Sequence, residues 1–446
     1  MNNNSLNKFI RIVPLYNSNE ERNIQFLSKE YKNIKKLKKI IERLLGSDFL
    51  LTIQNKKIFI KPNWVYHNIK SDDEICLRTN DSILFCVLEV ILEQKPSSVI
   101  VADAPVNVCD WEKILTKKFI NRMNKLTNKY KIPIKIMDLR RRTFSPNKNI
   151  VKKDNNPISE YIIFDVGKKS FLEPISKIKK SGFRVTNYNP DKLNESHNLG
   201  IHKYCITKTL FDCNLFISIP KIKTHEKTGI TGALKNLVGL NGDKDFLPHH
   251  RFGGVTFGGD CYPGMNIIRL LSEIFRDTAN KRQGQKSYKY WIYISDLLWF
   301  LSRPRPIHQI SAAWYGNDTT WRMVMDLYLI AIYGKKDGTL SNKPQRTIFS
   351  LCDGIIGGQG NGPLHPEPLP LGFLSFSNNS VLNDICMARL LGFNINKIPL
   401  IIHAKNYFIL YNNIITMDGK KIQEQDLLKY SIKTKLPIGW QGYLES

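Results

Sequence analysis

The chain has 446 residues, of which 42% are hydrophobic and 11% aromatic, so it can bury a large core and is not a disordered protein. Its 66 basic residues outnumber the 39 acidic ones and give a formal net charge of +27. Such an excess favours anionic partners: nucleic acid, phosphorylated metabolites or an acidic membrane surface. A composition biased towards Asn, Lys and Ile would produce the same excess without functional meaning, so the charge alone leaves both explanations open.

The eight cysteines include no Cys-x-x-Cys pair, which argues against zinc ribbons, iron–sulfur modules and disulfide frameworks. We therefore expect buried thiols and no iron–sulfur cluster. The N-terminus lacks a signal-peptide pattern, and with reduced thiols this predicts a cytoplasmic protein. The longest apolar stretch, 290–301, is shorter than the roughly 20 residues that span a bilayer. We expect it to pack in the core rather than to lie on the surface.

The predicted elements are typical of an α/β protein with a mixed, mainly parallel sheet flanked by helices. Apolar periodicity predicts helices at 34–45 and 80–93 and strands at 57–60, 97–102, 132–138, 161–165, 203–207, 213–219 and 347–353. We predict two lobes with a central cleft, divided into a basic helical lead-in at 1–48, an α/β core at 49–264, a mostly helical insertion at 265–340 and the rest of the core at 341–446. The basic tract at 140–153 is predicted to be an exposed loop.

Three polar residues lie at the carboxyl ends of the first two predicted core strands. Lys61 and Asn63 follow the strand at 57–60, and Asp103 follows the strand at 97–102. Ligands of α/β proteins bind at the carboxyl ends of parallel strands. We therefore expect Lys61 and Asn63 to bind substrate and Asp103 to take part in catalysis.

The segment after the strand at 213–219 is the most informative part of the chain. Lysines, threonines, a histidine and a glycine follow Pro220, before a helix predicted to start near Thr231. A strand, a polar turn and a helix N-terminus form a typical anion site, although a solvated basic loop would also fit. The predicted residues are His225 and Lys235 for catalysis and Lys221, Lys223, Thr228, Thr231 and Asn236 for substrate binding.

Two of these residues have specific predicted roles. The neighbouring lysines favour a neutral His225, which is predicted to act as a general base. Asn236 is predicted to donate a hydrogen bond to an oxyanion. With Asp103 and Asp353, His225 and Lys235 are expected to line one common cleft.

A second polar loop follows the segment at 220–239. It contains adjacent histidines, His249 and His250, whose side chains point apart on regular structure, so at most one of them joins His225. A divalent metal is a candidate cofactor here, held by His249, Asp243 and Asp260. The alternative is that a histidine of this pair assists as an acid or base. Arg251 is expected to bind the substrate.

A glycine-rich segment at 353–363 follows the last predicted core strand. It matches neither the Walker A spacing nor the dinucleotide-binding pattern. Its amides could cradle a phosphate or carboxylate, and we expect Gly358, Gly360 and Asn361 to contact the substrate. The alternative is a tight structural loop. Asp353, at the strand end, is predicted to be catalytic as a base or metal ligand.

The order and spacing of six motifs resemble one known family. The motifs lie at 60–64 (Ile-Lys-Pro-Asn-Trp), 101–105 (Val-Ala-Asp-Ala-Pro), 220–239, 353–363, 384–392 and 436–440. Together they resemble the family catalogued as "domain of unknown function 362", over roughly residues 50 to 445. Some members carry an appended ferredoxin-like cysteine cluster, which this chain lacks, so the resemblance implies no redox role.

The residues thus favour a cytoplasmic enzyme acting on a small carboxylate or phosphorylated metabolite by proton transfer that His and Lys assist, with or without a metal. The alternative is a non-catalytic protein that binds polyanions or nucleic acid. The two hypotheses differ in where the lysines lie. An enzyme would gather them in one cleft, whereas a polyanion-binding protein would spread them over a broad surface.

Overall fold

The computed structural model describes residues 7–68, 75–144, 152–178, 182–302, 312–408 and 412–444. Its strands are β1 Phe9–Pro14, β2 Lys57–Pro62, β3 Ser98–Asp103, β4 Ile134–Asp138, β5 Arg142–Phe144, β6 Lys152–Asp154, β7 Tyr161–Asp165, β8 Phe183–Arg184, β9 His197–Asn198, β10 Ile201–Thr207, β11 Leu215–Ile219, β12 Lys221–His225, β13 Gly229–Thr231, β14 His250–Arg251, β15 Ile348–Asn361, β16 His365–Leu369, β17 Phe373–Ser377, β18 Ile414–Met417 and β19 Lys420–Ile422. Its α-helices are α1 Ile24–Lys32, α2 Ile34–Leu45, α3 Ser47–Leu50, α4 Asp81–Glu93, α5 Trp111–Ile114, α6 Lys117–Tyr130, α7 Pro190–Ser196, α8 Thr209–Asp212, α9 Ala233–Asn236, α10 Ile267–Lys281, α11 Tyr288–Leu301, α12 Thr320–Tyr333, α13 Ser380–Leu390 and α14 Pro399–Tyr407.

The protein is an α/β protein built on one mixed, mostly parallel sheet. The strands follow the order β19-β18-β1-β17-β15-β11-β2-β3-β4, and β12, β13 and β16 attach at β15 and its neighbours. From β15 to β4 the adjacent strands all run parallel, so their carboxyl ends meet at one edge. This edge is where the ligand sites of α/β sheets form.

The side chains of the central strands alternate between two hydrophobic cores on opposite faces of the sheet. Ile58 and Ile60 of β2 point into a core packed by α2, α4 and α6. Phe59, between them, points into the other core, which contains side chains of α12, α13 and α14. Because both faces are covered, these strands are apolar along their whole length, which is why sequence periodicity finds them. The helices predicted at 34–45 and 80–93 are confirmed as α2 and α4.

Strand β1 gives the N-terminal segment a place inside the main sheet. It pairs in parallel with β18 and antiparallel with β17, so the segment predicted as a helical lead-in also contributes a sheet strand. The helices of residues 265–340 have two environments. Helix α12 packs in the core, whereas α10 and α11 pack against each other.

The expectation that 290–301 packs in the core is wrong, because much of α11 is exposed, including Tyr290 (73%), Tyr293 (69%) and Leu301 (62%). No helix in the described part of the chain is long and apolar enough to cross a membrane. Seven of the eight cysteines are buried, and Cys213 is partly exposed.

The basic tract at 140–153 differs from the prediction where the structure describes it. Arg140 is 1% exposed, pairs with Asp138 at 2.6 Å and donates to the carbonyl of Cys109 at 2.7 Å. Arg141 and Arg142 pair with buried carboxylates at 2.6 and 3.0 Å. These three arginines connect neighbouring segments through ion pairs and hydrogen bonds, so they do not form an exposed basic loop. Residues 145–151 of the tract lie outside the described residues.

Candidate functional site

A cavity of about 510 Å³ lies at the carboxyl ends of β2 and β3, against the β12–β13 hairpin. Nine residues that the sequence singles out line it: Lys61, Asn63, Asp103, Lys223, His225, Thr231, Lys235, Asn236 and His249. Lys227, Glu226 and Lys244 contribute further charged groups, and Tyr66, Phe144 and Tyr188 contribute aromatic walls. The structure therefore brings distant motifs to one place.

The hairpin is built differently from the predicted loop and helix. Residues 221–225 and 229–231 form paired strands, and the helix after them, α9, has only four residues. The amides of Ala233 and Leu234 at its start donate to the Asp384 carboxylate at 2.6 and 2.9 Å. Gly232 leaves room for this carboxylate, since a Cβ there would lie 2.2 Å from its oxygen. The predicted anion site at the helix N-terminus is thus occupied by a side chain of the protein.

Five lysines and two carboxylates line the cavity. Lys61 is neutralised, because its Nζ donates to Asp103 Oδ1 at 2.6 Å and to two further oxygens. The other Asp103 oxygen accepts from the Trp64 amide at 2.7 Å. This pair is therefore internally satisfied. Asn236 is satisfied too, since its amide group donates to Lys61 O and Ser218 Oγ, so the predicted oxyanion donor is already engaged.

The charged forms of the remaining lysines are disfavoured, first by burial. Burial, and after it the nearby Lys244, Lys227, Lys223 and Lys61, lower the pKa of Lys235 to about 7. Within the described residues, Lys235 Nζ has neither a carboxylate nor a carbonyl partner.

Two other lysines of the cavity show the same effect. Burial lowers the pKa of Lys223 to about 7 and that of Lys244 to about 8. Lys223 Nζ donates to the carbonyls of Leu77 and Pro363. A bound anion would stabilise the charged forms of such a group of cations.

His225 is neutral, and its tautomer is fixed by the backbone. Its pKa lies well below the ordinary value, first because the ring is buried and then because Lys235 and Lys227 are close. The amides of Lys227 and Thr228 donate to its Nδ1 at 3.0 and 3.3 Å. A ring nitrogen that accepts two amide hydrogens is unprotonated, so the proton is on Nε2. Neutral His225 is therefore a hydrogen-bond donor at Nε2, which contradicts the predicted role as general base.

His249 has the opposite tautomer. Its Nδ1 lies 2.7 Å from the carbonyl oxygen of Leu247, which can only accept, so Nδ1 carries the proton. Its pKa is also far below the ordinary value, first through burial and then through Lys235 and Lys227. Asn317 and Thr320 donate to its backbone carbonyl at 2.9 and 2.7 Å and anchor the residue. In this tautomer the Nε2 lone pair of His249 can accept a hydrogen bond or a proton.

Three buried polar atoms of cavity-lining residues have no hydrogen-bond partner within the described residues. They are Asn63 Oδ1, Asn107 Oδ1 and Thr231 Oγ1. Buried polar groups are normally paired, so such atoms are expected where a ligand or water binds. Thr228 is different. Its hydroxyl donates to the carbonyl of Ile230 at 3.1 Å, and the residue does not line the cavity.

Asp353 and Lys221 lie away from the cavity, inside the protein. Both are fully buried and form an ion pair at 3.0 Å. Tyr31 donates to one Asp353 oxygen at 2.6 Å, and the amide of Asn80 donates to the other at 2.9 Å. The prediction that Asp353 shares a cleft with His225 is therefore wrong, and Lys221 holds this carboxylate rather than a substrate. The pairing of β12 with β15 is irregular between these two lysines, since Lys221 lies opposite Asp353 and Lys223 lies opposite Gly358.

The glycine-rich segment is a strand and not a phosphate-binding loop. Residues 348–361 form β15, which pairs with β12 on one side and β16 on the other. A Cβ on Gly358 would lie 2.7 Å from that of Lys223, so glycine lets the strands approach. The Gly360 carbonyl accepts from Thr224 and the Asn361 side chain accepts from the Ile438 amide. Gly358, Gly360 and Asn361 are thus structural and do not line the cavity.

The residues predicted to bind a metal do not come together. Asp243 pairs with Arg141 at 2.6 Å, and Asp260 accepts from Thr319 at 2.6 Å and from the Arg251 amide. His249 lines the cavity without either of them. Arg251 donates to the carbonyl of Gly258 and also lies outside the cavity lining.

Sequence reasoning missed Lys227 and Lys244 as site residues. Lys227 lies at the turn of the β12–β13 hairpin, and Lys244 lies in a turn just after the segment at 220–239. Both are basic residues in segments that contain glycines. Because a lysine in a loop is usually solvated, the residue type alone does not indicate a site. Their burial depends on β3 and the 183–188 segment folding over the same space, which no local pattern predicts.

The comparisons with known proteins identify the family. The family profile described as "Domain of unknown function (DUF362)" matches residues 165–389, half of the chain, so the chain belongs to this family. None of the curated proteins matches the chain. A crystal structure of a Thermotoga maritima protein, a structural genomics target, is similar with a TM-score of 0.32 and 11% identity. That similarity covers 76% of this chain but only 53% of the Thermotoga chain, and at this score it supports no functional argument.

Proposed function

We propose that this DUF362 protein is an enzyme that binds a small, multiply charged carboxylate or phosphorylated metabolite in the cavity and transfers a proton on it. The observation that carries the proposal is the cluster of buried and partly buried lysines around one cavity. Once Lys61 is assigned to Asp103, four lysines face the cavity and Glu226 is the remaining carboxylate of its lining. A ligand with two or more negative charges would balance them.

The size and walls of the cavity narrow the class of ligand. About 510 Å³ is within the range of small-molecule sites. The wall contains aromatic and aliphatic side chains as well as the lysines, Asn63 and Thr231. This composition suits a metabolite with an apolar or ring-containing portion and an anionic group. The same burial argues against the polyanion-binding alternative, because a nucleic-acid backbone needs lysines on an open surface.

The two histidines suggest how a proton would move. His249 Nε2 would accept a proton from the bound metabolite, and His225 Nε2–H would donate a hydrogen bond to the oxygen on which negative charge develops. The lysines lower the pKa of both rings, and an anion between them would raise the pKa of His249 again. Binding of the substrate would thus increase the basicity of the residue that must accept its proton.

Anion binding is tested by calorimetry with inorganic phosphate, pyrophosphate and malonate as probes. We expect the divalent or more highly charged probes to bind the wild type and to lose at least about tenfold in affinity in Lys235→Met, since one buried charge contact contributes about 1.5–3 kcal/mol. Lys343→Met is the matched control, because Lys343 is exposed and far from the cavity lining. Equal affinity in both variants would overturn the site assignment.

Proton transfer is tested without knowing the reaction. A panel of hydroxy acids, keto acids and sugar phosphates is incubated with protein in deuterium oxide, and exchange of carbon-bound hydrogen is measured by NMR. We expect exchange in at least one compound, reduced by roughly 10²–10⁴-fold in His249→Gln. If anions bind but no compound exchanges, the proposal is reduced to anion binding. If His249→Gln exchanges as fast as the wild type, His249 is not the base.

A further inference from the structure

A second group of chemistry-bearing residues lies behind the loop that carries His249. His250 comes from β14, Cys261 from the loop after it, and Glu273 from helix α10. All three side chains are buried, with exposures of 5%, 3% and 5%. One donor atom from each lies within 4.8 Å of the other two. It is the one group of three such ligands that the described residues contain.

The hydrogen bonding of this group is incomplete. His250 Nδ1 is buried without a hydrogen-bond partner among the described residues. One Glu273 oxygen accepts from the Gly253 amide at 2.9 Å, which fixes the side chain towards the loop. Cys261 and Glu273 are hydrogen-bonded to each other, so the unpartnered group is the imidazole of His250. A buried ring nitrogen without a partner, in a group with a thiol and a carboxylate, is expected where an ion or water binds.

We propose that His250, Cys261 and Glu273 bind a Zn²⁺ ion. A nitrogen, a sulfur and an oxygen donor suit Zn²⁺, which binds such atoms at about 2.0–2.3 Å in tetrahedral geometry. Three protein ligands leave one position for water or another donor. A neutral imidazole, a thiolate and a carboxylate give a charge of −2, which balances the ion even though Lys227 and Arg184 are close. The ion would join helix α10 to the loop behind the cavity.

Elemental analysis of protein purified without an affinity tag tests the proposal. We expect about one zinc per chain in the wild type, and less than about a tenth of that in Glu273→Gln and Cys261→Ser. Cys213→Ser, a cysteine outside the group, should keep the metal. Cobalt added to chelator-treated protein should give a thiolate-to-cobalt absorption band, and Cys261→Ser should lack it. Wild-type protein that neither retains zinc nor gives this band overturns the proposal, even if a variant fails to fold.

A separate observation concerns the surface of the α10–α11 pair. Its polar residues face inward: Arg269, Ser272 and Glu273 of α10 and Ser295 of α11 are buried. Its apolar residues face outward with exposures of 42–73%, namely Met265, Ile267, Ile268, Leu271, Ile274, Tyr290, Tyr293, Leu297, Phe300 and Leu301. An apolar face of this size on two packed helices marks an interaction surface.

We propose that this face binds an anionic lipid surface. Exposed basic residues accompany it: Lys281 at the end of α10, Lys286 in the connection and Lys289 at the start of α11. Apolar and aromatic residues beside lysines are typical of helices that lie in the lipid interface. The net charge of +27 adds long-range attraction to anionic headgroups.

Flotation with vesicles tests the lipid proposal. Wild-type protein should float with phosphatidylcholine vesicles containing about one quarter phosphatidylglycerol, and less with phosphatidylcholine alone. The triple variant Leu297→Gln, Phe300→Gln, Leu301→Gln should lose flotation while keeping the melting temperature of the wild type, because these side chains are exposed. Absence of flotation by the wild type, or a dimer in light scattering that the triple variant dissociates, would overturn the proposal in favour of protein contact.

Discussion

Removing the Lys235 charge should both stabilise the protein and weaken anion binding by at least about tenfold. The pKa of Lys235 is about 7 instead of the ordinary 10.5. At about 1.4 kcal/mol per pH unit, the charged form costs roughly 5 kcal/mol at most in the folded protein. Because the side chain is partly exposed to the cavity, we discount this by about half, to about 2–3 kcal/mol. Lys235→Met keeps the length of the side chain and removes that cost.

The pH dependence gives the sign of the effect. Between pH 7 and 10.5 the unfolded chain binds the Lys235 proton and the folded protein has released it, so wild-type stability rises with pH in this window. The advantage of Lys235→Met should therefore be complete at about pH 6.5 and smaller at about pH 9. Chemical denaturation at both values measures it.

Anion binding supplies the second arm of the same experiment. Millimolar pyrophosphate at about pH 6.5 should stabilise the wild type, since a ligand that binds only the folded state adds to its stability. Lys235→Met should gain little from the same addition. A variant that is no more stable than the wild type, with an unchanged pH slope, would refute the reasoning, because Lys235 would then be an ordinary solvated lysine.

Three further results are expected. Asp384→Ala should destabilise the protein by about 2–4 kcal/mol in chemical denaturation, because two buried amides of α9 lose their acceptor; a loss below about 1 kcal/mol would contradict this. Lys221→Met should cost about 3–5 kcal/mol by leaving Asp353 buried and unpaired, and the Lys221→Met, Asp353→Leu double variant should recover part of that loss. Long-range ¹⁵N–¹H spectra near neutral pH should show His225 protonated at Nε2 and His249 at Nδ1; the reverse pattern would exchange their proposed roles.

The sequence predicts the elements that local residue patterns determine, and it fails for those that depend on contacts with distant segments. The strands β2, β3 and β11 are buried on both faces, so their apolar runs identify them locally. Polar residues after such strands were then correctly expected near one another at one sheet edge. The glycine-rich segment misled the prediction, because glycine is as compatible with closely packed strands as with a ligand-binding loop. Only the approach of Gly358 to Lys223 separates these two uses.

Asp353 and Asp103 illustrate why strand ends alone do not define a site. Both carboxylates are paired with a lysine, and both accept backbone amides. Asp103 borders the cavity, where it pairs with Lys61, whereas Asp353 lies within β15, pairs with Lys221 and is not part of the cavity lining. Which strand end borders the cavity depends on the packing of distant segments, including the one that contains Tyr188. Residue type and spacing cannot supply that information.

The protonation of the two histidines is also only partly predictable from the sequence. The sequence places lysines beside His225 and thereby predicts a neutral ring, which agrees in direction with its lowered pKa, although burial is the larger cause. Which nitrogen carries the proton depends on the turn that aims the amides of Lys227 and Thr228 at Nδ1. The carbonyl of Leu247 sets the opposite state in His249. Because these backbone contacts assign the donor to one ring and the acceptor to the other, the proton transfer that we propose would require both histidines, and neither could replace the other.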